Sequence, residues 1–156
     1  MELTPVLYLD SSFWRRLFDS VNPELRRATR DFLRRVGRRC VLKTSDLVAR
    51  ELGDVPFDEI RRRVIRTYRA ARPRVVTTAA AVHCVVRELL GAGCLNERHL
   101  EDLYHIAYAV VGGADFLVTW DTGDLARPGT QDAVGRCCRL IRRHELLIET
   151  PPEVGR

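Results

Sequence analysis

Short apolar runs that alternate with helical segments constrain this chain more than any other feature of its sequence. The runs Val6–Leu9 and Phe116–Thr119 show no polar alternation, which is typical of strands covered on both faces in a parallel sheet. Similar runs at 40–43, 75–77 and 146–148 predict further strands. The sequence therefore predicts an α/β three-layer sandwich with a central, mostly parallel sheet of about four to five strands.

Apolar residues at helical spacing predict the helices that cover this sheet. They are expected after Ser11, over Pro23–Val36, from Thr44 or Ser45 to Leu52, over Phe57–Ala71, over Ala79–Leu90, over Glu97–Val111 and over Asp132–His144, with a loop at Thr122–Gly129. A length of 156 residues is ordinary for one domain, and no repeat or low-complexity linker interrupts the pattern. We therefore expect one domain over residues 1–156.

Composition limits the location and the chemistry of the protein. No apolar run approaches the ~20 residues that a membrane span needs, and the N-terminal segment has no signal-peptide pattern. We therefore expect a cytoplasmic protein without a membrane segment. The five cysteines include no CxxC pair, which argues against a zinc site. Cys40 and Cys84 are expected to be reduced and buried.

Positive charge is concentrated in the first half of the chain. Residues 1–74 hold 18 basic and 10 acidic residues, whereas residues 75–156 hold 8 and 11. Every basic residue except Lys43 is arginine, whose planar fork matches phosphate. The basic half indicates either a polyanionic partner or a solvated, arginine-rich face.

Four acidic residues that are far apart in sequence are expected to meet at one edge of the sheet. Asp10 and Asp121 directly follow predicted strands. Glu51 lies one short helix after a strand, and Asp102 lies in the first turns of a helix that leads to a strand. Ligands of open parallel sheets bind at the carboxyl ends of the strands. Two carboxylates ~4 Å apart repel by about 4 kcal/mol at an effective dielectric of 20, so such a cluster requires protons or a cation.

Each acid also has a purely structural interpretation. Asp10 could cap a helix, and Glu51 could pair with Arg50 or face solvent. Asp102 could interact with the helix dipole, and Asp121 could lie in a turn. Only the joint placement of the four favours a site for a hard cation such as Mg²⁺ or Mn²⁺.

Four segments in this order resemble the PIN-domain ribonucleases, in particular VapC-like toxins of bacterial toxin–antitoxin pairs. The matching segments are Leu7–Ser12, Thr44–Leu52, Asp102–Ala109 and Asp115–Asp121, and the tail Ile148–Val154 resembles a common ending of this group. The resemblance covers nearly the whole chain. It implies a PIN-like fold and a Mg²⁺- or Mn²⁺-dependent endoribonuclease that cleaves RNA phosphodiesters with a metal-activated water.

The resemblance also implies roles for individual residues. The catalytic acids would be Asp10, Glu51, Asp102 and Asp121, of which Asp10, Asp102 and Asp121 would hold the metal. Supporting roles would fall on Ser11, His105, Thr119 and Asp124. The segment after Trp120 departs from close relatives, so Asp121, Asp124 or both could complete the metal site. His105 lies three residues after Asp102 and could orient it, contact the substrate or simply pack.

The implied partners are an RNA substrate, a cognate antitoxin and a second copy of the chain. A non-catalytic PIN-like module that binds RNA or a protein is the alternative. A receiver-type phosphorylation domain is not supported, because it needs a lysine near its end and Lys43 is the only lysine.

Overall fold

The sheet has five parallel strands in the computed structural model, which describes residues 4–77 and 79–154. The strands are β1 (Val6–Leu9), β2 (Val41–Thr44), β3 (Arg74–Val75), β4 (Phe116–Val118) and β5 (Leu147–Glu149). Their order across the sheet is β3-β2-β1-β4-β5, and every neighbouring pair is parallel. The predicted strand number and direction are confirmed.

Seven α-helices in the described residues flank this sheet. They are α1 (Ser11–Arg16), α2 (Pro23–Val36), α3 (Asp46–Gly53), α4 (Asp58–Ala71), α5 (Ala79–Gly91), α6 (Leu100–Val111) and α7 (Pro128–Leu140). Helices α1 to α4 pack on one another, and α5 packs on α6 and α7. The sheet lies between helices as the three-layer prediction requires.

Strand β1 lies at the centre of the sheet and of the core. Leu7, Tyr8 and Leu9 are each completely buried, which explains why their segment shows no polar alternation. On the flanking helices, Phe13 packs edge-on against Phe32, and Trp14 against Tyr68. This aromatic packing fixes α1, which starts immediately after β1, against α2 and α4.

The strand order reverses between β1 and β4. The chain runs from β1 through β2 to β3 on one side, whereas β4 and β5 lie on the other side. In open parallel sheets such a reversal opens a crevice at the carboxyl edge, where ligands bind. Asp10 follows β1 and Thr119 follows β4, and the Asp10 amide donates to the Val118 carbonyl over 3.4 Å. The fold therefore places Asp10 and Thr119 at the point where a ligand is expected.

The sequence prediction for the last helix was wrong by four residues at each end. Helix α7 spans Pro128–Leu140 rather than Asp132–His144, so the preceding loop is also shorter than predicted. Proline fits the first helical position well because that amide has no helical acceptor. After the helix, Arg142 adopts a left-handed φ of 54°, which prevents its continuation to His144.

The predicted helix over Glu97–Val111 is divided into two parts. Glu97–His99 forms a 3-10 turn, and α6 begins at Leu100. The Asn96 side chain accepts from the Arg98 amide at 2.9 Å and tightens this turn. His99, with φ −107° and ψ 35°, separates the turn from the helix.

The burial prediction for Cys84 was wrong, because the thiol is exposed on α5. The buried face of α5 is made by Val82, Val85, Val86 and Leu89, and Cys84 lies outside it. Cys40 is half-buried. Within residues 4–77 and 79–154, no helix combines the length and the apolar character needed to cross a bilayer.

Gly112, which ends α6, allows this helix to approach the sheet closely. A Cβ atom added there would lie 2.8 Å from Cγ2 of Val76, which directly follows β3, and 3.4 Å from Cδ of Lys43 on β2. We expect Gly112→Ala to lower the free energy of unfolding by about 1–3 kcal/mol, measured by urea denaturation.

Gly91→Ala is the matched control, because a Cβ at this helical position meets no atom within 4 Å. It should leave stability unchanged or raise it by up to ~1 kcal/mol, since alanine favours helix. Equal destabilisation by both variants would contradict the proposed close approach at Gly112.

Candidate active site

Asp10 links the end of β1 to the start of α1, and its carboxylate accepts hydrogen bonds from three local donors. Oδ1 accepts from the Phe13 amide at 2.9 Å, which caps α1, and from the Ser12 hydroxyl at 2.7 Å. Oδ2 accepts from the Thr119 hydroxyl at 2.6 Å. Burial raises the pKa of the Asp10 carboxyl, and these hydrogen bonds together with the charge of His105 offset only part of that effect.

Thr119 joins the acid after β1 to the acid after β4. Besides donating to Asp10, its oxygen accepts from the Asp121 amide at 2.9 Å. Oδ1 of Asp121 then accepts from the amides of Gly123 and Asp124, each at 3.0 Å, whereas no described residue hydrogen-bonds to its Oδ2. Asp121 therefore lies in a turn, as one interpretation of the sequence held, and still has a free carboxylate oxygen.

A buried histidine on α6 ties the remaining site elements together. Nε2 of His105 lies 3.0 Å from Oε2 of Glu51 on α3. Its Nδ1 lies 3.1 Å from the hydroxyl of Tyr8, which in turn lies 2.7 Å from Oγ of Ser45. The chain Ser45–Tyr8–His105–Glu51 thus joins β1, the N-terminus of α3 and α6 beneath the carboxyl edge.

The protonation states of His105 and Glu51 follow from their surroundings. Burial pushes the pKa of His105 down, but the hydrogen bond to Glu51 and the negative charges of Asp10, Glu51 and Asp102 outweigh it and raise the pKa. Burial alone would raise the pKa of Glu51, yet the hydrogen bond and charge of His105 hold it below its ordinary value. Both shifts favour an ion pair between a protonated His105 and an ionised Glu51.

Asp102 lies where acids from two elements meet. Burial raises the pKa of its carboxyl, and the negative charges of Asp121 and Asp124 raise it further. Nδ1 of His99 lies 3.4 Å from Oδ2 of Asp102 and 3.5 Å from Oδ2 of Asp124. The structure thus brings Asp102, Asp121 and Asp124 into one electrostatic environment, with a second histidine beside it.

The acidic edge lacks the cations that would normally offset it. Among the described residues, no arginine or lysine forms an ion pair with any of the five acids. These acids are Asp10, Glu51, Asp102, Asp121 and Asp124. Within the described part of the chain, the cationic side chains that pair with these acids are the imidazoles of His99 and His105. Carboxylates without an arginine or lysine partner fit a hard divalent cation, and Oδ2 of Asp121 is available to it.

Arginines surround the site without entering it. Nη2 of Arg15 donates to the backbone carbonyl of Glu51 at 2.9 Å. Arg16 pairs with Asp19 on the same side of α1, and Arg50 reaches Glu101 only at 3.7 Å, with both side chains mostly exposed. Arg15, Arg16 and Arg50 therefore form a positively charged surface next to the acids, which we call the arginine rim. None of the three forms an ion pair with the five acids, so the rim leaves these acids available to other ligands.

Comparison with solved structures identifies the architecture. The chain is similar to a chain in the crystal structure of VapBC2 from Rickettsia felis bound to a DNA fragment from their promoter, with a TM-score of 0.61. The match covers 93% of this chain and 98% of that chain. The fold is PIN-like. The two sequences are only 12% identical, so the PIN-like similarity extends to the fold alone. No family model matches the chain, and no curated protein matches it.

The sequence-based site residues are distributed as follows. Asp10, Glu51 and Asp102 surround His105, and Asp121 and Asp124 lie beside Asp102. Their catalytic and metal-binding roles remain predictions.

Two positions near the site were not anticipated from the sequence. Ser12 donates to Asp10, whereas Ser11, for which a supporting role is predicted, lowers the pKa of Glu51 through a side-chain hydrogen bond. His99 was missed, although its spacing of three residues before Asp102 mirrors that of His105 after it.

Thr119→Val should destabilise the protein because it removes a buried hydroxyl that serves three partners. Asp10 loses a donor, the Asp121 amide loses an acceptor and Ser12 loses a contact at 3.2 Å. We expect a loss of about 1–3 kcal/mol in the free energy of unfolding, measured by urea denaturation.

Thr122→Val is the control for this change, because Thr122 is exposed and makes no hydrogen bond in the described part of the chain. It should change stability by less than ~0.5 kcal/mol. If the two variants are equally stable, the Thr119 hydroxyl does not hold the site together.

Proposed function

We propose that this protein is a metal-dependent endoribonuclease and the toxin of a toxin–antitoxin pair. One observation carries the proposal. Asp10, Glu51 and Asp102 act electrostatically on His105, Asp121 and Asp124 act on Asp102, and none of the five carboxylates has an arginine or lysine ion pair among the described residues. The PIN-like fold and the arginine rim agree with it.

The metal would be Mg²⁺ or Mn²⁺, held by Asp10, Asp102 and Asp121. Such an ion polarises the scissile phosphate and supplies an activated water when it is bound. The local structure prepares these acids for it. Three donors fix the position of the Asp10 carboxylate, whose two oxygens have further lone pairs, and the turn at Asp121 engages only Oδ1 of that residue. The ligand oxygens of Asp10, Asp102 and Asp121 do not all lie within 4.8 Å of one another in the described part of the chain, so side-chain movements would bring them onto one ion.

Glu51 would act as the base in this reaction. His105 fixes Oε2 and keeps the Glu51 carboxylate ionised, and because the lowered pKa also makes Glu51 a weaker base, its contribution would come from its position beside the attacking water. Tyr8 orients His105 in turn, and its complete burial keeps this arrangement away from solvent. His105 is therefore a positioning residue for Glu51.

The arginine rim would guide RNA to the acids. Arg15 and Arg50 flank Glu51, and more than half of the Arg50 side chain is exposed. Guanidinium groups beside an acidic metal site can bind the phosphates on either side of the cleavage position. This arrangement explains why a site that repels phosphate would still attract a polyanion.

The partners follow from the same proposal. We infer a cognate antitoxin that covers the acidic edge, in line with the VapBC2 assembly to which the fold is similar. We also propose that the protein forms a homodimer. We propose a cytoplasmic location, because an endoribonuclease toxin meets its RNA there.

Asp10→Asn should abolish RNA cleavage. Asparagine caps helices about as well as aspartate, so α1 should persist while the negative charge is lost. We expect the rate of cleavage of a labelled RNA in Mg²⁺ or Mn²⁺ to fall by at least about 100-fold, as when a charge-stabilising group is removed from an active site.

Asp31→Asn is the control, since it makes the same charge change in an exposed pair with Arg34 on α2. It should cleave RNA like the parent. Cleavage by Asp10→Asn at the parent rate, in material purified identically, would discard the catalytic assignment. RNA binding without cleavage by the parent would favour the non-catalytic alternative.

Mg²⁺ should stabilise the protein through Asp102. An ion that binds only the native state at about ten times its Kd adds ~1.4 kcal/mol, or roughly 3–6 °C in Tm for a chain of this size. Asp102→Asn should reduce this gain. Its metal-free form should be at least as stable as the parent at neutral pH, because a raised pKa means that ionised Asp102 destabilises the native state.

Thermal melts with and without Mg²⁺ test both expectations, with Asp31→Asn again as the charge-matched control. A Mg²⁺-induced shift that is equal in the parent and in Asp102→Asn would exclude Asp102 as a ligand.

A further inference from the structure

The 3-10 turn before α6 places a histidine between two carboxylates that come from different elements. His99 ends the turn, Asp102 lies in the first turn of α6, and Asp124 lies in the loop after β4. One ligand atom from each residue lies within 4.8 Å of the other two. His99 is about one-third exposed and faces the edge of the sheet where Asp102 and Asp124 converge.

We propose that His99, Asp102 and Asp124 together bind a first-row transition-metal ion, with Mn²⁺ preferred over Mg²⁺. The inference rests on the proposed function, because Asp102 belongs to the proposed metal site, and it refines that site in two respects. It adds a nitrogen ligand to a site otherwise made of carboxylates. It also assigns Asp124, rather than Asp121 alone, as a ligand beside Asp102.

The spacing of the three ligand atoms fits one ion. Neighbouring ligands of an octahedral ion with bonds of about 2.1 Å lie about 3 Å apart, and opposite ligands lie about 4 Å apart. His99 Nδ1 lies 3.4 Å from Asp102 Oδ2 and 3.5 Å from Asp124 Oδ2, close to the neighbouring spacing. Small side-chain movements would bring all three atoms onto one ion.

The chemistry of the ligands sets the metal preference. Imidazole suits the later first-row ions, whereas Mg²⁺ takes oxygen ligands almost exclusively. Mn²⁺ accepts carboxylates as readily as Mg²⁺ does. As a first-row transition-metal ion it also accepts a nitrogen ligand more readily than Mg²⁺ does. One imidazole with two carboxylates therefore separates Mn²⁺ from Mg²⁺ in a way that a site of carboxylates alone does not.

A cavity lined by two of the three residues, His99 and Asp124, leaves room for the remaining ligands of the ion. It has a volume of about 610 Å³, and its lining includes His99, Asp124, Asn96, Glu97 and Arg127. Three protein atoms occupy half of an octahedral shell, so water or a phosphate oxygen would fill the rest. The exposed Arg127 side chain is placed to balance the charge of a bound phosphate.

The test measures Mn²⁺ binding to the full chain by electron paramagnetic resonance, with Mg²⁺ as competitor. Pulsed measurements on bound Mn²⁺ should show coupling to an imidazole nitrogen in the parent. His99→Phe, which keeps a planar ring, and His99→Asn should both lose this coupling. Both should raise the Kd for Mn²⁺ at least about tenfold while changing that for Mg²⁺ much less, since even residues outside the coordination shell change metal affinity 10–100-fold.

His144→Phe is the matched control, because His144 also pairs with a carboxylate, Asp115 at 3.0 Å, near the opposite end of β4. It should keep both the nitrogen coupling and the Mn²⁺ affinity. Bound Mn²⁺ without nitrogen coupling in the parent would overturn the inference and leave the carboxylate metal site intact. Unchanged Mn²⁺ affinity in both His99 variants would also overturn it and leave His99 as a simple counter-charge. RNA cleavage does not enter the measurement, so a failure of the proposed activity is seen separately.

Discussion

The candidate active site is shaped by the repulsion among carboxylates that lie at one edge of the parallel sheet. The fold offsets only part of that repulsion, through His105 against Glu51 and through hydroxyl and amide donors around Asp10. At Asp102 the repulsion stays visible as a raised pKa, driven by burial and then by Asp121 and Asp124. A native state that keeps such an unfavourable group stores free energy that a bound cation releases.

Two separate hydrogen-bond networks hold these acids in place. Ser12 and Thr119 connect β1 to β4 around Asp10 and Asp121, and they use neutral donors that leave the negative charge in place. On the other side, the chain from Ser45 through Tyr8 to His105 supplies a positive charge to Glu51. The first network keeps carboxylates available to a cation, and the second fixes one carboxylate in its ionised form. This difference explains why the pKa of the Asp10 carboxyl is raised whereas that of Glu51 is lowered.

The sheet could be predicted from the sequence because each central strand is buried on both faces, and burial removes alternation at β1 and β4. Thr119 links Asp10 to the Asp121 amide because β1 and β4 are neighbouring strands, and the positions of both acids directly after strands predict that they lie near each other. The start of α7 at Pro128 and the break at His99 could not be predicted as readily, because Arg127 and His99, which precede these helices, make no side-chain capping hydrogen bond that a sequence pattern could indicate. The contacts of Ser12 and His99 depend on side-chain directions across separate elements, which spacing within one segment does not report.

Lys43 on β2 is the only lysine, and its ammonium group donates to the carbonyl of Gly112, where α6 ends. Its side chain is half-buried in that position. Amine-directed reagents, and enzymes that modify lysine, therefore find a single internal target whose nitrogen is occupied while α6 stays docked. The rate at which Lys43 reacts thus reports on this contact between β2 and the end of the helix that carries Asp102 and His105.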